Sequence, residues 1–144
     1  MKISARNIFE GSVSHLSSGP ISAEVEVTTA GGDKLVATIT QSSATSLGLA
    51  IGKPVIALIK ASNVMVMTEG NGIKLSARNC LAGRVKKLVL GPVSAEVVIA
   101  LPGGADVFAS ITRDAADELG LKEGMSATAV IKASGVMLAV RDNA

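Results

Sequence analysis

Displaced by 72 residues, the chain lies on itself: residues 2–68 overlay 74–140 without a gap, and 31 of the 67 overlaid positions are identical. A repeat this long sets the organisation before any local pattern does. Ser4-Ala5-Arg6-Asn7 returns as Ser76-Ala77-Arg78-Asn79, Gly19-Pro20 as Gly91-Pro92, and Ser22-Ala23-Glu24-Val25 as Ser94-Ala95-Glu96-Val97. Leu47-Gly48-Leu49 returns as Leu119-Gly120-Leu121, and Ile59-Lys60-Ala61-Ser62 as Ile131-Lys132-Ala133-Ser134. The expected organisation is one unit over residues 1–68, a linker over 69–73 containing Gly70 and Gly72, and a second unit over 74–144.

Differences between the copies separate packing from chemistry. Phe9 answers Leu81, Val27 answers Ile99 and Leu58 answers Val130, so apolar sites exchange only for apolar ones, as core positions do. Residues 22–28 alternate small or apolar with polar at period two, which predicts a half-buried strand. Gly31-Gly32-Asp33 reads as a hairpin turn into a returning strand over 34–40. Residues 42–47 form the one helical candidate, with Ser42 or Ser43 as N-cap and Gly48 at the C-terminal end. In the second copy Asp114 takes the capping position, with Asp117 and Glu118 expected in the first turn. Strands over 54–60 and 64–68 complete the unit. The expected fold is all-β: two tandem OB-like, five-stranded Greek-key barrels, each with a short helical turn.

So small a barrel buries only about 60% of its unfolded surface. Val64-Met65-Val66-Met67 and Val136-Met137-Leu138-Ala139 are apolar on both strand faces, so one face needs a cover. The other copy, or another chain, can supply it, and a homo-oligomer is expected.

Composition removes several classes of function. Charged residues reach 18%, against roughly 25% in average soluble domains. The longest apolar runs are five residues, as over 55–59 and 97–101, where a membrane-spanning helix needs about 20. The stretch Met1-Lys2-Ile3-Ser4-Ala5 lacks a signal peptide's apolar segment. Cys80 is the single cysteine, which suits a reducing cytoplasm. It answers Ile8 and is expected as a buried filler, while His15, answered by Lys87, is expected at the surface. With no Trp or Tyr, two Phe and a net charge of +2, neither a base-stacking platform nor a phosphate-tracking stripe is evident. One His and one Cys are too few for a soft-metal site, so no bound cation or cofactor is expected. Catalysis at neutral pH leans on His, Cys or paired carboxylates; a non-enzymatic role is the expectation.

The repeated polar positions are hydrogen-bond donors: Ser, Thr, Arg and Lys side chains, with backbone N–H groups beside small residues. No acidic residue lies among Ser4, Arg6, Asn7, Thr40, Lys60 and Ser62 or their counterparts in the second copy. One Arg and one Lys offset a charge of about −2, so the set suits an acceptor-only dianion.

The blocks Ser4-Ala5-Arg6-Asn7, Ile39-Thr40 before Leu47-Gly48-Leu49, and Ile59-Lys60-Ala61-Ser62-Asn63-Val64, with their second copies, resemble the molybdenum-pterin-binding (Mop) domain of the molbindins. The resemblance spans essentially the whole chain, as a tandem di-Mop molbindin of the kind that forms trimers. It implies binding of molybdate or tungstate inside the cell, for storage and homeostasis, at sites where Mop domains meet. Carried over by position, Ser4, Arg6, Lys60, Ala61 and Ser62 form one side of a site, with Thr40 and Ser43 reaching in from a neighbouring domain. The matches in the second copy are Ser76, Arg78, Lys132, Ala133 and Ser134 with Thr112; Ala115 replaces Ser43, so a hydroxyl is lost. Asn7 and Asn79 are expected just behind the ligand-contacting residues.

Plainer roles stand beside these. Arg6 and Arg78 can pair with Glu24 and Glu96, Lys60 and Lys132 can be solvated strand ends, and Ser62 and Ser134 can form turns. Met65 and Met67 suit packing better than soft-metal binding. Two other functions stay open: a molybdate-sensing or delivery module acting through a protein partner, and an OB-type nucleic-acid binder, which the scarcity of aromatics disfavours.

Overall fold

The computed structural model describes residues 1–142, so the last two residues of the expected second unit lie outside the described residues. The first half runs β1 (Asn7–Ser18), β2 (Ser22–Thr29), β3 (Lys34–Thr40), α1 (Gln41–Ser46), β4 (Pro54–Ile59) and β5 (Met65–Met67). The second runs β6 (Asn79–Leu90), β7 (Ser94–Ala100), β8 (Asp106–Thr112), α2 (Arg113–Glu118), β9 (Ser126–Ile131) and β10 (Val136–Ala139). A single 3₁₀ turn, Ala61–Asn63 or Ala133–Gly135, precedes the last strand of each half.

The strands form two five-stranded sheets, ordered β10-β4-β1-β2-β3 and β5-β9-β6-β7-β8. The all-β, OB-like architecture is as expected, but the spatial units are not the sequence halves. Each half lends its last strand to the other: Met65 pairs with Val130 on β9, and Val136 pairs with Ile59 on β4. The exchange follows from the preceding turn. Ala61–Asn63 packs against β8 and Ala133–Gly135 against β3, so each chain segment is already on the opposite half when its last strand begins.

β1 and β6 are long because each pairs with two strands in turn, and each carries an irregularity, between Val13 and His15 or between Val85 and Lys87. Such bulges bend a strand and add twist, which lets one strand serve both sides of a small barrel. The alternation read from the sequence becomes burial: Ala23, Val25 and Val27 on β2 and Leu35 and Ala37 on β3 are essentially inaccessible, as are Val97, Ile99, Val107 and Ala109 in the second half. Burying a Val, Leu or Ile side chain contributes about 1.5–3 kcal/mol, so these faces drive the collapse.

The two hairpin turns meet. A Cβ on Gly31 would lie 1.8 Å from the carbonyl oxygen of Gly103, its counterpart in the repeat. The Asp33 carboxylate accepts from the N–H groups of Gly103 (2.9 Å) and Ala105 (3.1 Å), so the first hairpin clamps the second. Gly31→Ala is therefore expected to force two backbones apart and destabilise the chain by roughly 1–3 kcal/mol. Urea unfolding would measure this, and a change below about 0.5 kcal/mol would show that the hairpins separate freely.

Three local expectations are corrected. Thr40, not Ser42 or Ser43, is the N-cap of α1, accepting from Ser43 N–H at 3.0 Å. Thr112, not Asp114, caps α2; Asp114 lies in the first turn, and Asp117 and Glu118 close the helix. Thr is the better cap at this junction because it ends a strand with extended backbone and keeps a hydroxyl directed at the first turn. Cys80 is exposed rather than buried: β6 alternates, and this position falls on its outer side between buried Asn79 and half-buried Leu81. His15 is exposed as expected, and Met65, 53% exposed, packs less than expected.

Candidate functional site

A surface cavity of about 670 Å³ lies where the second half meets β3 and β5 of the first. Ser76, Arg78, Lys132, Ala133 and Ser134 all line it, together with Thr38, Met65, Met67 and Leu75. The sequence separates Arg78 from Lys132 by more than fifty positions; pairing of Asn79 with Ile131 between β6 and β9 brings the neighbouring residues Arg78 and Lys132 to one end of the sheet. The 3₁₀ turn then places Ala133 and Ser134 before its first bonded donor, Gly135 N–H, which gives to Lys132 O at 2.8 Å. Their own N–H groups thus lie at the turn's start, where such donors lack partners within the turn. Two cations, two serine hydroxyls and a turn's leading amides converge, and no carboxylate lines the wall.

A second cavity of about 540 Å³ shares Thr38 and Ser134 with the first and reaches Ser43, Ser46 and Asn63. Ser43 is thus near the second-copy residue Ser134. Packing of the Ala133–Gly135 turn on β3, next to α1, brings the two together. Thr40 reaches this region through Ser43, donating to its Oγ at 2.8 Å.

The first-copy set sits in the corresponding place on the other half, with the Ala61–Asn63 turn on β8 as Ala133–Gly135 is on β3. Lys60 and Ser62 are exposed, and Ala61 is half-buried, in the turn packed on β8. Ser4 is exposed ahead of β1, and Arg6 lies over the Phe108 ring, 5.0 Å from its centroid. Thr112 is exposed and caps α2 through Ala115 N–H at 3.0 Å.

Both arginines have carboxylate partners, but crosswise. Arg6 donates to Glu96 at 2.7 and 3.4 Å, and Arg78 donates to Glu24, so each pair joins one half to the other rather than closing within a copy. Asn7 and Asn79, each next to one of these arginines in the chain, have a defined structural task. Both are buried and act as strand substitutes: Asn79 donates to Val36 O at 2.8 Å and accepts from Val36 N–H at 2.7 Å, and Asn7 does the same with Phe108 at 2.8 and 2.7 Å. They fasten each half to the edge strand of the other.

Thr38 escaped the sequence reading because Ser110 answers it, so identity is lost while the hydroxyl is kept. Comparing chemistry rather than identity between copies would have found it. Among the described residues no cluster of His, Cys, Asp or Glu could hold a metal ion, and no helix is long and apolar enough to cross a membrane.

Comparison with known proteins follows the same lines. The model of the TOBE domain matches twice, over residues 3–66 and 75–138. The chain belongs to the TOBE-domain family. Within it, the chain is 49% identical over 143 residues to the molybdenum transport protein ModE of Herbaspirillum seropedicae, covering 99% of this chain and 53% of that protein. It is 44% identical over 140 residues to the molybdenum-pterin-binding protein MopA of Rhodobacter capsulatus, covering 97% and 53%. The chain thus spans about half the length of these curated relatives. A crystal structure of the cytoplasmic molybdate-binding protein ModG with molybdate bound shares 54% identity, with a TM-score of 0.94 over 98% of this chain and 100% of that one. Both TOBE matches stop within or beside the exchanged strands, so the family unit in sequence includes a strand that belongs to the other half in space.

Proposed function

We propose that the protein reversibly binds a tetrahedral dianion, molybdate or tungstate, in the cavity lined by Ser76, Arg78, Lys132, Ala133 and Ser134. One observation carries this reading: residues scattered over the second copy converge with Thr38 into a wall of donors bearing two cations and no carboxylate. The similarity to molybdate-binding ModG over the whole chain supports the choice of anion. Capture needs no bond making, and storage and homeostasis in the cytoplasm follow as the role.

The chemistry of the wall supports selectivity. Hydrogen phosphate carries a proton that needs an acceptor, which a lining of donors does not offer. Sulfate matches molybdate in charge and shape but is smaller, so only a rigid cavity separates them; donors fixed on two interlocked sheets supply that rigidity. The cavity exceeds what one oxyanion needs, and its Met65, Met67 and Leu75 side is apolar. A further copy of the chain covering that side would complete the site, consistent with a homo-oligomer, as a trimer. The set Ser4, Arg6, Lys60, Ala61 and Ser62 would make the companion site in the same way, with Thr112 in the place of Thr40. A sensing or delivery role is the second reading, supported by the 49% identity to the molybdenum transport protein ModE.

Equilibrium dialysis of the full chain against molybdate, tungstate, sulfate and phosphate tests the proposal. Molybdate and tungstate are expected to be retained at concentrations where sulfate and phosphate pass; equal retention of all four would end it.

A further inference from the structure

The wall of the cavity contains no acid, yet one stands immediately behind it. Glu24 on β2 is directly paired with Thr38 on β3, and Thr38 lines the cavity. Cross-strand partners share a face of the sheet, so Glu24 and Thr38 are presented together toward the second half. There the Glu24 carboxylate takes the guanidinium of Arg78, a cavity-lining residue. We propose that Glu24 is a built-in competitor for Arg78: it occupies the guanidinium when no anion is present, repels the incoming dianion, and thereby sets the affinity below what the donors alone would give. This inference rests on the reading of the cavity as an oxyanion site.

Two opposing effects decide its sign. A carboxylate can help an anion site by holding a guanidinium in a useful orientation. It hinders the site by neutralising that charge and by adding a like charge nearby. The orienting effect is small here, because the pair is exposed, with side-chain exposure of 53% for Arg78 and 33% for Glu24, and exposed ion pairs contribute little. Repulsion between a unit charge and a dianion scales with the product of the charges, so it is doubled relative to an ordinary pair. The repulsion wins.

The other half shows how an arginine looks when it is held more firmly. Arg6 donates to Glu96 through two nitrogens and also lies over the Phe108 ring, 5.0 Å away. The residue answering Phe108 is Val36, which has no ring, so Arg78 lacks that second support. Arg78 is therefore the arginine that can be exchanged from carboxylate to ligand with least loss.

The experiment is calorimetric titration of the full chain with sodium molybdate, for the wild type, Glu24→Gln and Glu24→Asp, with thermal unfolding of each as a check on folding. Glu24→Gln is expected to tighten binding by on the order of tenfold at low salt, with unchanged stoichiometry and a smaller gain at high salt. Glu24→Asp keeps the charge and is expected to bind close to wild type, and it also remains informative should Glu24→Gln not fold. Wild-type binding with unchanged or weakened binding in a folded Glu24→Gln overturns the inference alone, as does equal tightening in Glu24→Asp. A wild-type chain that takes up no molybdate removes the oxyanion reading beneath it.

Discussion

Replacing Asn79 with leucine is expected to lower the free energy of unfolding by about 2–4 kcal/mol, more than any substitution at the exposed polar positions. The side chain is 2% exposed, and its amide pairs with both the N–H and the C=O of Val36, at 2.7 and 2.8 Å. Leucine fills nearly the same volume, so packing is retained while two backbone groups lose their partner. An unsatisfied buried donor or acceptor costs roughly 1–3 kcal/mol, and two are stranded together. Asn7→Leu, stranding the same groups of Phe108, is expected to behave alike. Denaturant titration measures both. A change below about 0.5 kcal/mol would mean that water replaces the amide and that the lock between the halves lies elsewhere. Because Asn79 adjoins Arg78, the substitution is also expected to loosen the cavity and weaken anion retention.

Lys132→Ala is the substitution expected to change binding most. Lys132 is exposed at the lip of the cavity, in extended backbone (φ −66°, ψ 135°) just before the 3₁₀ turn, so removing its side chain leaves the core and the turn's hydrogen bond intact. A hydrogen bond to a charged partner contributes roughly 1.5–3 kcal/mol, which predicts about 10- to 100-fold weaker molybdate binding with little loss of stability. Dialysis or calorimetry supplies the affinity and thermal unfolding the control. Unchanged affinity would remove Lys132 from the site. A large fall in stability would instead assign it a structural role.

The candidate site was legible in the sequence residue by residue but not as an arrangement. Ser76, Arg78, Lys132, Ala133 and Ser134 stood out because they recur in both copies, and the structure gathers them in one cavity. Thr38 did not stand out, because Ser keeps its chemistry and not its identity. Asn7 and Asn79 recurred as faithfully as the ligand candidates for a different reason: a strand-mimicking amide is as intolerant of substitution as a binding group. Recurrence signals constraint and does not say which kind.

What the sequence determined by itself is what depends on near neighbours: the repeat, the period-two alternation that became β2 and β3, the hairpins at Gly31 and Gly103, and a donor-rich, acid-free set of polar positions. These follow from local backbone preference and side-chain chemistry. Only the tertiary structure decided which half each piece serves. With 31 identical positions, the copies offer nearly the same edge and the same partners to each last strand, so pairing within a copy and pairing between copies look alike in sequence. The packing of each 3₁₀ turn on the opposite half breaks that tie, and it brings β5 to β9, β10 to β4, Arg6 to Glu96, Arg78 to Glu24, and Ser43 to Ser134.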